Sequence, residues 1–411
     1  MPSQRTAITR RSFVKTAAAT PALFTIVPRH VLGGAGFVAP SDTFGGALIG
    51  CGGQGPSTYR RLTDGLTVKQ LAQCDVKFVE RADNKTFYTD FRRVLERKDI
   101  DLVAIATPPH WHALISIAAA EAGKDVLCEK PMTRFIAEGR AVVNAFKRYN
   151  RAFQIGTFGR FSASRDKNNL QTHQIMRSGL LKECPAVVIR RGGFKVKEWS
   201  GRPLLPSEPV PSSLDWDMYC GPSPLKPYVR ARTGGTHRGY WDYEGGGLAD
   251  MGQHHLDPVQ WTYAKDRTSP VEIEAHAPPA DPEVCGMWGW VEMKYADGMT
   301  LVLDSGEWGD RYDRKSERGV TLSDLSESDR EKVAAMEKPE PLISFAEAVK
   351  TRKEAGGDAE TSHRAATLLH LANIAIRTGR KIKYDPVKEV IVGDEEANRL
   401  VNQPMRAPWH L

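Results

Sequence analysis

The chain of 411 residues is poor in long apolar runs. Its N-terminal apolar stretch, residues 16–27, is shorter than the roughly 20 residues a membrane-spanning helix needs. Cysteine is scarce. Cys51, Cys74, Cys128, Cys184, Cys220 and Cys285 include no CxxC pair, which argues against a zinc cluster and for buried free thiols. No stripe of lysine and arginine with interleaved aromatics is present. Of the net charge of +7, five units lie on Arg5, Arg10, Arg11, Lys15 and Arg29, with no acid in residues 1–40. The remainder is close to balanced, so nucleic acid is not the expected partner. No internal repeat is found.

What is present is the composition of a soluble protein, 41% hydrophobic and 26% charged, long enough for two domains. Residues 1–40 read as a signal segment and linker. Thr9-Arg10-Arg11-Ser12-Phe13-Val14-Lys15 is a twin-arginine run ahead of the short apolar stretch, which ends at Pro28. This predicts export by the twin-arginine route to the periplasm. With no cysteine before Cys51, no lipid anchor and no stable membrane attachment are expected.

Residues 41–156 alternate between short apolar runs and helical patterns. Strands are expected at 44–49, 68–74, 102–106, 125–127 and 152–155, with helices at 91–97, 114–122 and 136–149. Such alternation specifies a parallel sheet with right-handed crossovers, a Rossmann-type domain. Residues 157–411 differ. Strands are expected at 187–191, 271–275, 288–295 and 299–303, the last two joined by a turn at Asp297-Gly298. Pro203, Pro206, Pro209 and Pro211 mark a surface loop. Residues 316–341 read as a polar excursion and 363–377 as a helix. The expected fold is α/β: an N-terminal dinucleotide-binding domain plus a C-terminal α/β domain with an open, mostly antiparallel sheet.

Gly50-Cys51-Gly52-Gly53-Gln54-Gly55 follows the first strand. Gly50 permits the tight turn, Gly52 lets backbone approach a pyrophosphate, and Gly55 allows close helix–strand contact, with Gly53 and Gln54 between them. The helix N-terminus beyond offers free N–H groups to phosphates. Asp75 arrives at the spacing of a ribose-binding carboxylate, which favours NAD over NADP. Thr107-Pro108-Pro109-His110-Trp111-His112 follows the third long strand, where loops line the ligand crevice. His110 and His112 lack a third local ligand, so no metal site is expected. In Glu129-Lys130-Pro131 the lysine would stand near the nicotinamide, as a surface lysine or as a proton partner and stabiliser of a developing alkoxide. Asp250 and His254, at i and i+4 on a helix, share a face. The carboxylate would orient the imidazole and raise its basicity. A metal site from His254, His255 and Asp257 is the weaker alternative.

Together with Cys74-Asp75-Val76, Ser362-His363-Arg364 and the Arg406-Ala407-Pro408-Trp409 tail, these motifs resemble the Gfo/Idh/MocA oxidoreductases from about residue 43 to the end. The resemblance implies hydride transfer between a nicotinamide cofactor and a secondary hydroxyl of a sugar or cyclitol. It implies Lys130, His254 and Asp250 as catalytic residues. It also implies Arg160, Thr157, Tyr240 and Trp241 as holders of substrate, and assembly as a homo-oligomer. A tightly bound NAD is expected. Two other functions remain open from the sequence. One is a redox-neutral, NAD-dependent glycosidase or lyase working through a transient keto-sugar. The other is a non-catalytic sugar-binding protein.

Overall fold

The computed structural model describes residues 43–184, 186–190, 192–312 and 319–411. The twin-arginine run lies outside the described residues. Six strands build the first sheet: β1 (Thr43–Ile49), β2 (Thr67–Cys74), β3 (Phe87–Tyr88), β4 (Leu102–Ile105), β5 (Asp125–Cys128) and β6 (Phe153–Ile155), in the order β3-β2-β1-β4-β5-β6. The β1–β4, β4–β5, β5–β6 and β2–β3 pairs are parallel, with Ala47 opposite Val103 and Val103 opposite Val126. The β4 sequence Leu-Val-Ala-Ile is buried at every residue. That is the pattern of a strand covered on both faces. Crossovers run through α1 (Gly55–Thr63), α2 (Phe91–Leu95), α3 (His112–Glu121) and α4 (Ile136–Tyr149). Asn150 ends α4 in the left-handed conformation.

The second sheet is mixed, in the order β12-β11-β8-β9-β10-β7. Its strands are β7 (Ala186–Arg190), β8 (Glu272–His276), β9 (Trp290–Lys294), β10 (Thr300–Asp304), β11 (Ile382–Asp385) and β12 (Val390–Ile391). Only β7 and β10 pair in parallel; the other pairs are antiparallel. The β9–β10 hairpin closes at Asp297-Gly298, with Gly298 at φ +89° and Tyr295 N–H donating to Met299 O at 2.8 Å. Two long helices, α5 (Gly246–Thr262) and α6 (Ala359–Thr378), lie between this sheet and the first domain. Asp358 caps α6 through the amides of Glu360 and Thr361.

The polar stretch expected as an excursion at 316–341 is ordered where it is described. It holds a helix, Glu327–Ala335, and Val320, Leu325 and Val333 pack on Ile175. Apolar residues spaced too widely to show a period still make a small core there. The first domain's core also takes in Ala359 and Ala366 of α6, with Met405 and Trp409 of the tail against it. Gly139 of α4 faces His363 of α6 so closely that a Cβ there would lie 2.3 Å from Nδ1. Residues distant in sequence thus complete the first domain. Among the described residues no helix is long and apolar enough to cross a membrane.

Candidate active site

The strand order reverses between β1 and β4, and the carboxyl ends of β1, β4 and β5 open there into a cavity of about 470 Å³. This is the switch point at which doubly wound sheets bind ligands. Gly50, Gly52, Gly53, Gln54, Asp75, Thr107, Pro108, Glu129, Lys130 and Asp250 all line it.

The glycine turn is set by close contacts. Gly50 sits at φ +93°, and a Cβ there would lie 2.5 Å from the Ala106 carbonyl; at Gly55 it would lie 2.2 Å from Gly50 O. Cβ positions at Gly52 and Gly53 face open space instead. Asp75 braces the turn, since Oδ2 accepts the Cys51 amide at 2.7 Å and Oδ1 that of Lys77 at 2.8 Å. Glu129 is a strut. Its Oε1 accepts from Gln54 Nε2 at 3.0 Å and from Thr58 Oγ1 at 2.7 Å, tying β5 to α1. Burial pushes the Cys51 thiol up to about 12, so it is no nucleophile. A dinucleotide fits these residues. The cradle over Gly52 and Gly53 is open, the N-terminus of α1 has no side-chain cap, and Thr107 Oγ1 is buried at the wall without a hydrogen-bond partner.

Lys130 leaves the end of β5 and reaches α5, where Nζ donates to Asp250 Oδ1 at 2.8 Å. Arg238 Nε lies 2.7 Å from the same oxygen. Burial would raise the Asp250 carboxyl, and the charges of Lys130 and Arg238 overcome it and hold it below its usual range. One turn on, His254 is pushed down to about 4, first by burial and then by the charge of Lys130, against the pull of Glu129 and Asp250. The expected Asp250–His254 partnership is therefore corrected. Asp250 spends its carboxylate on two cations, and His254 is made less basic rather than more. His254 is not among the residues lining the cavity, though the charge of Lys130 reaches it.

Other expected site residues fall elsewhere. Arg160 is fully buried, paired with Asp257 at 2.9 Å and Asp266 at 3.0 Å. Thr157 Oγ1 donates to Asp257 at 2.8 Å. Both hold α5 in place and neither reaches the cavity. Tyr240 is buried with its hydroxyl on Arg202 O, and Trp241 Nε1 donates to Asp281 O at 3.0 Å; they too lie off the cavity. His112 does not line it either. Its two ring nitrogens lie 2.8 Å from Pro131 O and from Thr107 O, and the neutral ring, with a single N–H, donates to one of them. Burial pushes His112 below its ordinary range. Gln253 of α5 adds a further brace, with Oε1 accepting the Met132 amide at 2.9 Å. The metal alternative at His254, His255 and Asp257 finds Asp257 committed to Arg160, and no group of three such ligands occurs among the described residues.

Sequence reasoning missed one wall. Met218 and Tyr219 of a short helix (Trp216–Cys220), with Gly234, Gly235, His237, Arg238 and Glu244 from a 3-10 turn and the loop after it, close the cavity from the C-terminal domain. His237 Nε2 lies 3.1 Å from Glu244. His110 and Trp111 hold Met218 and Tyr219 by hydrogen bonds to their carbonyl groups. No periodicity marks these residues.

Comparison with known proteins agrees with this geometry. Residues 44–157 match the Gfo/Idh/MocA model described as an oxidoreductase family, NAD-binding Rossmann fold, and residues 166–411 match its C-terminal alpha/beta domain. The chain belongs to the Gfo/Idh/MocA oxidoreductase family. Its NAD-binding Rossmann domain is followed by the family's C-terminal domain, as the motif order implied. Levoglucosan dehydrogenase of Pseudarthrobacter phenanthrenivorans is 50% identical over 62 residues, 15% of this chain and 16% of that protein. Inositol 2-dehydrogenase of Salmonella typhimurium is 30% identical over 149 residues, 33% and 42%. A glycosyl hydrolase family 109 protein of Solibacter usitatus is 30% identical over 122 residues, 26% and 28%. Each match spans less than half of the relative's length. Among solved structures, the WlbA dehydrogenase of Bordetella pertussis, in complex with NADH and UDP-GlcNAcA, superposes with a TM-score of 0.54 at 17% identity, covering 84% of this chain and 98% of that one.

Proposed function

We propose that this protein is an NAD-dependent dehydrogenase of a sugar or cyclitol, acting at a secondary hydroxyl. The observation that carries the reading is Lys130 Nζ, held by Asp250 on the wall of the same cavity that the glycine turn enters. The partial matches to inositol 2-dehydrogenase and levoglucosan dehydrogenase support the substrate class. Bound nicotinamide would supply the hydride acceptor. The chain's own residues do the rest. Gly52, Gly53 and the N-terminus of α1 bind the pyrophosphate, and Asp75 receives the ribose hydroxyls and disfavours a 2′-phosphate. Lys130 takes the proton of the substrate hydroxyl at Nζ and, when charged, faces the developing alkoxide.

The twin-arginine run at Arg10 and Arg11 supports work in the periplasm, where free NAD is scarce. A retained cofactor, recycled by a second carbonyl substrate, suits that setting. Assembly as a homo-oligomer without membrane attachment belongs to the same proposal. A second reading is favoured by the family 109 match: a redox-neutral glycosidase using the same Lys130. Incubation with NAD and a panel of cyclitols, hexoses and aryl glycosides separates the two. Net NADH formation supports the dehydrogenase. Release of aglycone without net NADH supports the glycosidase and overturns the first reading.

A further inference from the structure

Two cations share one carboxylate oxygen at the cavity wall: Lys130 Nζ at 2.8 Å and Arg238 Nε at 2.7 Å from Asp250 Oδ1. A lysine that serves as proton acceptor alternates between charged and neutral forms. Asp250 is 7% exposed at its side chain, and when Lys130 is neutral a lone carboxylate there would be an uncompensated buried charge. Arginine does not lose its proton in proteins.

We propose that Arg238 is the positioning residue for proton transfer at this site. It stays on Asp250 as a fixed partner, so Lys130 gives up its proton without stranding a bare carboxylate. This rests on the reading of Lys130 as the proton acceptor. Arg238 is itself anchored, with Nη1 donating to Gly235 O at 3.1 Å and its guanidinium 4.7 Å above the Trp199 ring.

The charged and titratable groups around Lys130 divide clearly. Glu129, from its own strand end, is spent on Gln54 and Thr58. Glu244 faces His237 at 3.1 Å on the wall that also carries Arg238. His254, from α5, is neutral above about pH 4. Asp250 is the carboxylate on Lys130 Nζ, and Arg238 is the arginine that shares it.

The chemistry gives the proposal a direction. In oxidation, the substrate O–H bond breaks and its proton goes to neutral Lys130 Nζ. A bound nicotinamide would accept the hydride, with both electrons of the carbinol C–H bond, as the C=O bond forms. In reduction the same steps reverse and Lys130 must start charged. Losing Arg238 tightens the Lys130–Asp250 pair, which harms oxidation at neutral pH and spares reduction.

The test needs no substrate. Only a neutral amine reacts with acetic anhydride, so the labelling rate of Lys130 against pH, read by peptide mass spectrometry on the intact protein, reports its charge state. In Arg238→Gln the pH of half-maximal labelling is expected to rise by about one unit, a roughly tenfold slower rate at fixed lower pH. Arg238→Lys is expected to stay close to the wild type at neutral pH, where the new lysine is charged, and to drift toward Arg238→Gln at high pH, where it is not. Where a substrate turns over, Arg238→Gln should lose about tenfold in oxidation at pH 7, regain it at higher pH, and keep its reduction rate. An unchanged labelling profile in Arg238→Gln overturns the proposal, as does an equal loss in both directions at every pH. If the neutral variant does not fold, phenylglyoxal modification of Arg238 in folded wild-type protein gives the same comparison. A labelling shift with no alcohol oxidised would instead count against the dehydrogenase reading alone.

Discussion

Trp409 stands edge-on against Trp111, ring centroids 4.7 Å apart and planes at 81°. Through this contact the end of the chain reaches the cavity. Trp111 Nε1 donates to Met218 O and Tyr219 O, and Arg406 pairs with Asp217 at 2.7 Å and donates to Gly221 O at 2.9 Å. A Cβ on Gly221 would meet the Trp111 ring at 2.1 Å, so the segment lies directly on the indole. The tail thus straps down the wall that carries Met218 and Tyr219. Trp409→Ala should cost about 1–2 kcal/mol through lost ring contacts and release nucleotide faster. Nucleotide assayed by chromatography before and after desalting checks this. Equal retention in both proteins would separate the tail from cofactor binding.

Lys130→Ala removes a cation aimed at the developing alkoxide. Turnover should fall by on the order of 10²–10³ with the fold intact. Lys130→Arg should not restore it, because arginine does not give up its proton. Steady-state kcat beside circular dichroism distinguishes this loss from unfolding.

Asp250→Asn leaves Lys130 and Arg238 facing each other without their shared counter-charge. Breaking a buried pair in this way costs about 3 kcal/mol. Both stability in urea and turnover should drop. A variant with wild-type stability would mean that neither cation depends on Asp250.

Arg160 tests the correction made above. Buried between Asp257 and Asp266, it acts as a strut for α5. Arg160→Gln should lower the melting temperature by several degrees, since about 3 kcal/mol or more goes with an uncompensated Asp257. In the fraction that remains folded, KM should be unchanged. A raised KM at unchanged stability would return Arg160 to the substrate site.

These corrections mark what the sequence makes legible. The β1, β4 and β5 strands are short apolar runs between helical patterns, and α4 runs over 136–149 as its pattern predicts. The glycine turn, Asp75 and Lys130 sit at fixed offsets from strand ends, so pattern alone places them. β3 and β12 are two residues long, too short to carry a period. Arg160 and Arg238 look alike as letters. One is sealed in a core by Asp257 and the other faces the cavity with Asp250, and only tertiary packing separates them. The Asp250–His254 spacing did put both residues on α5. It did not reveal the two cations that outbid the imidazole for the carboxylate.

His254 gives a pH prediction. Its folded value of about 4 lies below its usual 6.5, so the unfolded chain takes up a proton that the folded protein refuses. Stability should therefore be fully present above about pH 6.5 and decline as pH falls toward 4, by about 2–3 kcal/mol from this group. His370, held down to about 3 by burial, adds to the same slope. His254→Gln should flatten but not abolish it. Urea unfolding at pH 7 and pH 4.5 for both proteins supplies the comparison, and identical slopes would remove His254 from the account.

The most direct measurement is the reduced-nicotinamide absorbance of the purified protein, with no nucleotide added, while hexoses and cyclitols are titrated in. The account predicts that the band rises to a stoichiometric plateau with one class of these alcohols in wild-type protein and stays flat in Lys130→Ala. Protein that carries nucleotide yet gives no band with any alcohol, while freeing the aglycone of an aryl glycoside, would contradict it.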